Sequence, residues 1–149
     1  MYHMVQRIDA TARSAADAQT IYRLLADGRT WPTWSPLGSF TPGTPGAQGP
    51  EKVGDIRLFR TGRTLSRERI VELVPGRRLS YELLHGLPLR GYRADVDLTP
   101  DADGTLIHWR SRFTAKVPGT GWLYRWALGR FIQRCADGLA AHAAVVNKV

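Results

Sequence analysis

The feature that most constrains this chain is its last stretch, from Thr120 to about Val146. There Tyr124, Leu128, Phe131, Ile132, Cys135, Leu139, Ala143 and Val146 recur at steps of three and four. On a helix these residues form one apolar stripe, with Arg130, Gln133, Arg134, Asp137 and Lys148 on the polar side. About 26 residues at a rise of 1.5 Å give a rod roughly 40 Å long. A rod with one apolar face needs a broad apolar partner, and the preceding stretches read as strands. The pattern therefore predicts a long C-terminal helix laid across a sheet.

Length and charge narrow the function classes. A chain of 149 residues with 43% hydrophobic content fits one domain spanning 1–149, with enough apolar mass for a core. The formal charge is +8, and nearly all the basic residues are arginine. The arginines are interspersed with Glu68, Glu72, Glu82, Asp95 and Asp97 and do not form a run, which argues against a nucleic-acid partner. The single cysteine, Cys135, excludes an internal disulfide and sits on the apolar stripe, where a thiol behaves as a small hydrophobe. Met1 to Thr20 carries Arg7, Asp9, Arg13 and Asp17 and has no continuous apolar run, so neither a signal peptide nor a membrane span is expected. The expected location is the cytoplasm.

Taken in order, the chain begins with a loosely alternating strand from His3 to Ala12. Ser14 is the expected cap of a short helix with Asp17 at its third position; Ala18, Ile21, Tyr22, Leu24 and Leu25 form its apolar face and Gly28 ends it. Trp31-Pro32-Thr33-Trp34-Ser35-Pro36 is short and proline-rich, which suits a single turn that buries two tryptophans. Gly38, Pro42, Gly43, Pro45, Gly46 and Gly49 then allow at most a short edge strand around Ser39 to Thr41. Five strand-and-turn units follow: Val53–Arg60, Leu65–Val74, Arg77–His85, Tyr92–Leu98 and Thr105–Ala115. Pro75-Gly76 suits the middle of a type II turn. Short turns make successive strands antiparallel neighbours, so the fold class is α+β with a meander.

Two strands declare their faces. Tyr92, Ala94, Val96 and Leu98 alternate with Arg93, Asp95 and Asp97, and Ile107, Trp109, Ser111, Phe113 and Ala115 alternate with His108, Arg110 and Arg112. Leu79, Tyr81, Leu83 and His85 share one parity. The strands from Val53 and Leu65 mix charged and apolar residues on both faces, and their register stays open.

In this order the chain resembles the helix-grip superfamily of START-type, pollen-allergen-like and polyketide cyclase/dehydratase-like proteins, known as SRPBCC. The resemblance covers nearly the whole chain. It rests on Ile8, Ala10, the helix ending at Leu25, Trp31-Pro32, Trp34, Val53-Gly54, Val71 to Pro75, Leu79, Tyr81, Asp103-Gly104-Thr105 and Trp109. It implies a curved antiparallel sheet around the C-terminal helix, two short helices near the N-terminus and an elongated cavity between sheet and helix. It does not imply one chemistry, since function on a shared fold lies in the individual site. The small residues Ala136, Ala140 and Ala143 suggest where the seam is underfilled, while Gly129 and Gly138 should each cost about 1 kcal/mol in a helix unless a kink or close approach offsets it.

For acid–base work the candidates are His85, on the parity of Tyr81, and the hydroxyls of Ser111 and Tyr92. His108 reads as outward and His142 as a boundary residue. Neither metal-ligand spacing, nor a phosphate loop, nor a nucleophile elbow is present in the sequence, so no metal and no cofactor are expected. The expected ligand wall is Trp34, Tyr81, Tyr92, Trp109, Ser111, Phe113, Leu128, Phe131 and Ile132, enclosing a lipid-like or polyketide-like molecule. The first alternative is a polyketide cyclase, aromatase or dehydratase using the same cavity; the second is a regulatory or stress-related interaction protein without a ligand. An inward acid–base pair would favour the enzyme, and the sequence shows none. Trp122 and Trp126, interleaved with Arg125 and Arg130, suit a membrane-interface or portal role.

Overall fold

The computed structural model describes residues 4–44, 46 and 49–147. His3, Pro45 and Lys148, placed above in the first strand, the proline-rich loop and the helix's polar side, lie outside that set. The order is β1 (Gln6–Ser14), α1 (Ala18–Ala26), a single 3-10 turn (Gly28–Thr30), α2 (Trp31–Trp34), β2 (Ser39–Pro42), β3 (Ile56–Thr61), β4 (Thr64–Val74), β5 (Arg78–His85), β6 (Leu89–Asp101), β7 (Gly104–Ala115) and α3 (Gly121–Asn147). The strands form one curved, open antiparallel sheet in the order β1-β7-β6-β5-β4-β3-β2. α3 lies over β1 and β7 and touches α1 and α2. This is the expected helix-grip architecture.

Several local expectations shift. Asp17, not Ser14, caps α1: its carboxylate accepts the Thr20 N–H at 2.7 Å. Ser14 instead donates to the Ala140 carbonyl at 2.8 Å, tying β1 to α3. β3 begins at Ile56, because Val53 and Gly54 are spent on a turn whose Asp55 carboxylate accepts the Lys52 N–H at 2.8 Å. β6 is longer than the alternating core of its sequence, pairing with β7 from Leu89 as far as Asp101, with one extra residue between Arg90 and Arg93. The Pro75-Gly76 turn forms as expected: the Arg77 N–H reaches the Val74 carbonyl at 2.9 Å, and Gly76 has φ 71°.

The inner face of the sheet and the apolar faces of the helices make the core. Trp31, Trp34 and Trp109 nest together, with ring centroids 4.7 Å (Trp31–Trp34) and 5.6 Å (Trp31–Trp109) apart. The tryptophan pair is therefore a wedge between sheet and α3. Ala136, Leu139, Ala140 and Ala143 are all buried. The expectation that Ala136, Ala140 and Ala143 underfill the seam is corrected: all three are buried in the core, where small side chains let α3 sit close to its neighbours, as the Ser14 bond to the Ala140 carbonyl shows. Gly138 belongs to the same contact. A Cβ there would lie 1.8 Å from the Trp34 carbonyl oxygen, so close packing offsets the helical cost of glycine. Gly129 has open space around its missing Cβ.

The outer face of the sheet explains the scattered arginines. Arg78 pairs with Asp97 and Glu72, Arg93 with Glu72 and Asp95, Arg110 with Asp97, Arg69 with Glu82 and Arg13 with Asp101. Each such exposed pair is worth about 0–1 kcal/mol, so they organise charge more than they stabilise the fold. Among the described residues no helix is long and apolar enough to cross a membrane.

Candidate ligand-binding site

The first half of α3 keeps to β1, where Gly121 lies against the Gln6 side chain, and does not pack closely on β3 to β6. Beneath it is a cavity of about 340 Å³ between α3, α2 and the strands β3 to β6. Its floor is buried: Trp31, Glu68, Tyr81, Tyr92, Ile132 and Cys135. Its mouth is half-buried or exposed, made by Thr61, Thr64 and Ser66 of the β3–β4 hairpin, Leu37, Leu87, and Tyr124 and Ala127 of α3. Leu83, Leu128 and Phe131 complete an apolar wall. Among the described residues no group of three or more histidine, cysteine or acidic side chains is arranged to hold a metal ion.

Of the residues expected to line a ligand, Tyr81, Tyr92, Leu128, Phe131 and Ile132 meet at this cavity. Trp34, Trp109, Ser111 and Phe113 lie behind it. Trp109 and Trp34 are committed to the tryptophan wedge, and Phe113 stacks on Tyr92 with centroids 6.0 Å apart. Ser111 supports the wall from the rear: its Oγ is 3.1 Å from the Tyr92 hydroxyl, in a buried hydrogen bond. His85 is exposed at the end of β5, away from the cavity. His108 points outward and meets Asp9, with Nε2 2.7 Å from the carboxylate.

Sequence reasoning missed the most consequential residue, Glu68. The β3–β4 hairpin turns on Gly62-Arg63, pairing Thr61 with Thr64 and therefore Phe59 with Ser66 and Arg57 with Glu68. A two-residue loop fixes register, and Phe59 and Ile70, both fully buried, fix the inward face. Arg57 and Glu68 follow inward. That short loop was the signal available in the sequence.

Arg57 is fully buried. Its Nε donates to Glu51 at 2.6 Å, one Nη donates to the Leu25 carbonyl at 2.7 Å, and the guanidinium lies 5.2 Å from the Trp31 ring centroid. Glu68 is buried too, yet its Oε1 has no hydrogen-bond partner. Loss of solvation pushes its carboxyl up to about 7, with Arg57 pulling the other way and Glu51 adding to the rise. Near neutrality Glu68 can therefore hold or release a proton inside an apolar chamber. Burial likewise raises the Tyr81 and Tyr92 phenols and the Cys135 thiol, which stay protonated. The floor thus offers two neutral phenols, one thiol and one titratable carboxyl, beneath a wall of leucine and aromatic carbon.

A comparison with curated protein sequences finds no match. Among solved structures the chain is similar to the di-domain ARO/CYC StfQ of the steffimycin biosynthetic pathway, with 17% identity and TM-score 0.78. The match covers 98% of this chain and 53% of that one, so the chain spans about half of StfQ. A START superfamily protein from Mycobacterium smegmatis matches with 15% identity and TM-score 0.78, over 95% of this chain and 99% of that one. Ginseng major latex-like protein 151 from Panax ginseng matches with 12% identity and TM-score 0.72, over 94% and 98%. At these identities the likeness is one of fold. The sequence itself matches a family model over residues 5–144, and with the helix-grip fold already described, the chain belongs to the polyketide cyclase/dehydrase and lipid transport family.

Proposed function

We propose that this protein binds a hydrophobic small molecule, lipid-like or polyketide-like, in the chamber between sheet and α3. The observation that carries the reading is the chamber's makeup: an apolar wall, a buried floor and an open mouth, the usual anatomy of a small-molecule site. Membership of a family described by cyclisation, dehydration and lipid transport supports it. The reading takes residues 1–149 as one domain in the cytoplasm, with transient membrane contact through the exposed Trp122 and Trp126.

Mass spectrometry of the purified protein under native conditions, followed by organic extraction, tests the reading. An apolar molecule bound one to one is the expected result. In parallel, 1-anilinonaphthalene-8-sulfonate should brighten on wild type and several-fold less on Leu128→Trp, which fills the chamber from α3. No extracted molecule and equal fluorescence from both proteins would overturn the reading.

Glu68 favours a second reading, a cyclase or dehydratase in which the chamber folds a polyketide-like chain and the carboxyl moves a proton. The two readings separate on Glu68→Gln. A catalyst loses turnover while keeping affinity, whereas a carrier has no turnover to lose.

A further inference from the structure

Among the described residues three buried polar side-chain atoms lack a hydrogen-bond partner: Arg57 Nη1, Glu68 Oε1 and Trp109 Nε1. Of these residues only Glu68 is part of the chamber wall. A carboxylate oxygen left bare in an apolar site is costly unless something completes it.

The charged and titratable groups facing Glu68 come from every element around it. Arg57 lies opposite on β3, Glu51 precedes that strand, Tyr81 is on β5, Tyr92 on β6 and Cys135 on α3. The phenols and the thiol are neutral. One Nη of Arg57 donates to the Leu25 carbonyl and Nη1 has no partner, but the guanidinium's single charge is matched by Glu51. On β4 itself Arg67 and Arg69 alternate to the outer face, where both are exposed and Arg69 pairs with Glu82. An ionised Glu68 therefore leaves this buried cluster one positive charge short. In the empty protein a proton supplies it. Trp31, Tyr81 and Tyr92 line the same chamber; the Trp31 ring already carries the Arg57 guanidinium 5.2 Å from its centroid, which leaves the two tyrosine rings as the aromatic neighbours for a second cation.

We propose that the chamber takes an amphiphilic amine, its apolar body against Leu83, Leu128, Phe131 and Ile132 and its protonated nitrogen seated on Glu68 Oε1. This rests on the reading of the chamber as a binding site and names the ligand's class. The ammonium and the proton compete for one oxygen, so amine binding below neutrality expels a proton from Glu68. With the carboxyl at about 7, the ionised fraction rises from about one tenth at pH 6 to about nine tenths at pH 8, and affinity for a permanently charged amine rises about tenfold with it. A neutral alcohol of the same shape gains nothing from that change.

Isothermal titration with 2-(1-naphthyl)ethylamine and 2-(1-naphthyl)ethanol tests this at pH 6 and pH 8. Wild type should prefer the amine, the preference should grow about tenfold between the two pH values, and titrations at pH 6 in two buffers of different ionisation enthalpy should show a proton released. Glu68→Gln should abolish the preference while the alcohol still binds. Equal binding of amine and alcohol at pH 8, or an amine preference that survives Glu68→Gln, overturns the amine assignment and leaves the chamber intact as a binding site. If neither probe binds, the assignment falls together with the reading beneath it. Should Glu68→Gln fail to fold by circular dichroism, the pH and two-buffer comparison on wild type decides alone.

Discussion

From Ala136 to Ala143, α3 is pressed against its neighbours: Ala136, Leu139 and Ala143 are fully buried, Gly138 rests on the Trp34 backbone and the Ala140 carbonyl takes a hydrogen bond from Ser14. From Tyr124 to Phe131 the same helix roofs a chamber, and its apolar side chains are only half-buried. The alanines Ala136, Ala140 and Ala143 mark the solid half, and the bulky Tyr124, Leu128 and Phe131 the hollow one, which runs opposite to a naive filling argument. A small side chain brings two backbones together and closes space; a large one props them apart. Helix position, more than side-chain volume alone, decides where a cavity opens.

The contrast can be broken by mutation. Leu139→Ala should cost about 4 kcal/mol in chemical denaturation because it empties a solid core, whereas Leu128→Ala, facing space that already exists, should cost less than about 1.5 kcal/mol. Equal losses would mean that the two halves are packed alike. Gly138→Ala should cost about 3 kcal/mol, since the added carbon meets backbone that has no room to yield, while Gly129→Ala should stabilise slightly.

Glu68→Gln sharpens the comparison through pH. The wild-type carboxyl is held at about 7 in the folded chain and at its ordinary 4.5 when unfolded. Between those values the folded protein keeps a proton that the unfolded chain gives up, so stability should fall as pH rises and level off above 7. The expected loss is about 3 kcal/mol and should be missing from Glu68→Gln. Parallel curves for the two proteins would place Glu68 in contact with solvent or a permanent partner.

The smallest effect belongs to the helix start. Trp122 and Trp126 are 62% and 60% exposed, on the side of α3 away from the chamber, with Arg130 over the Trp126 ring. Replacing both with alanine should change stability by under about 0.5 kcal/mol and reduce co-sedimentation with anionic liposomes. Unchanged sedimentation would remove the membrane contact.

Much of this fold is legible in the sequence. The stripe of α3 and the alternation in β6 and β7 follow from periodicities that burial enforces, and the elements occur in the expected order with ends that shift by a few residues. The site was harder. Alternation treats charge as a mark of the outer face, so Arg57 and Glu68, buried on the inner one, made β3 and β4 look two-sided and hid their register. Ser14 was assigned to the nearest helix by local rules, yet its partner is Ala140, 126 positions away. Tertiary contacts of that kind leave no local trace. Of the five expected wall residues, Tyr92 and the three on α3 lie on elements with clear faces and Tyr81 on a strand with a weaker parity, whereas the carboxyl that matters lies on a strand with none.

The Gly138 contact is one of several pins that make α3 a beam. Trp34 and Ser14 hold its far end, the Gln133 amide donates to the Thr11 carbonyl at 2.9 Å midway, and Gly121 at its start lies against the Gln6 side chain. The span between Gly121 and Gln133, about 18 Å of helix, is the part that covers the chamber. A beam supported at both ends yields by bowing and not by swinging, so the chamber's room is set by the bending stiffness of that span.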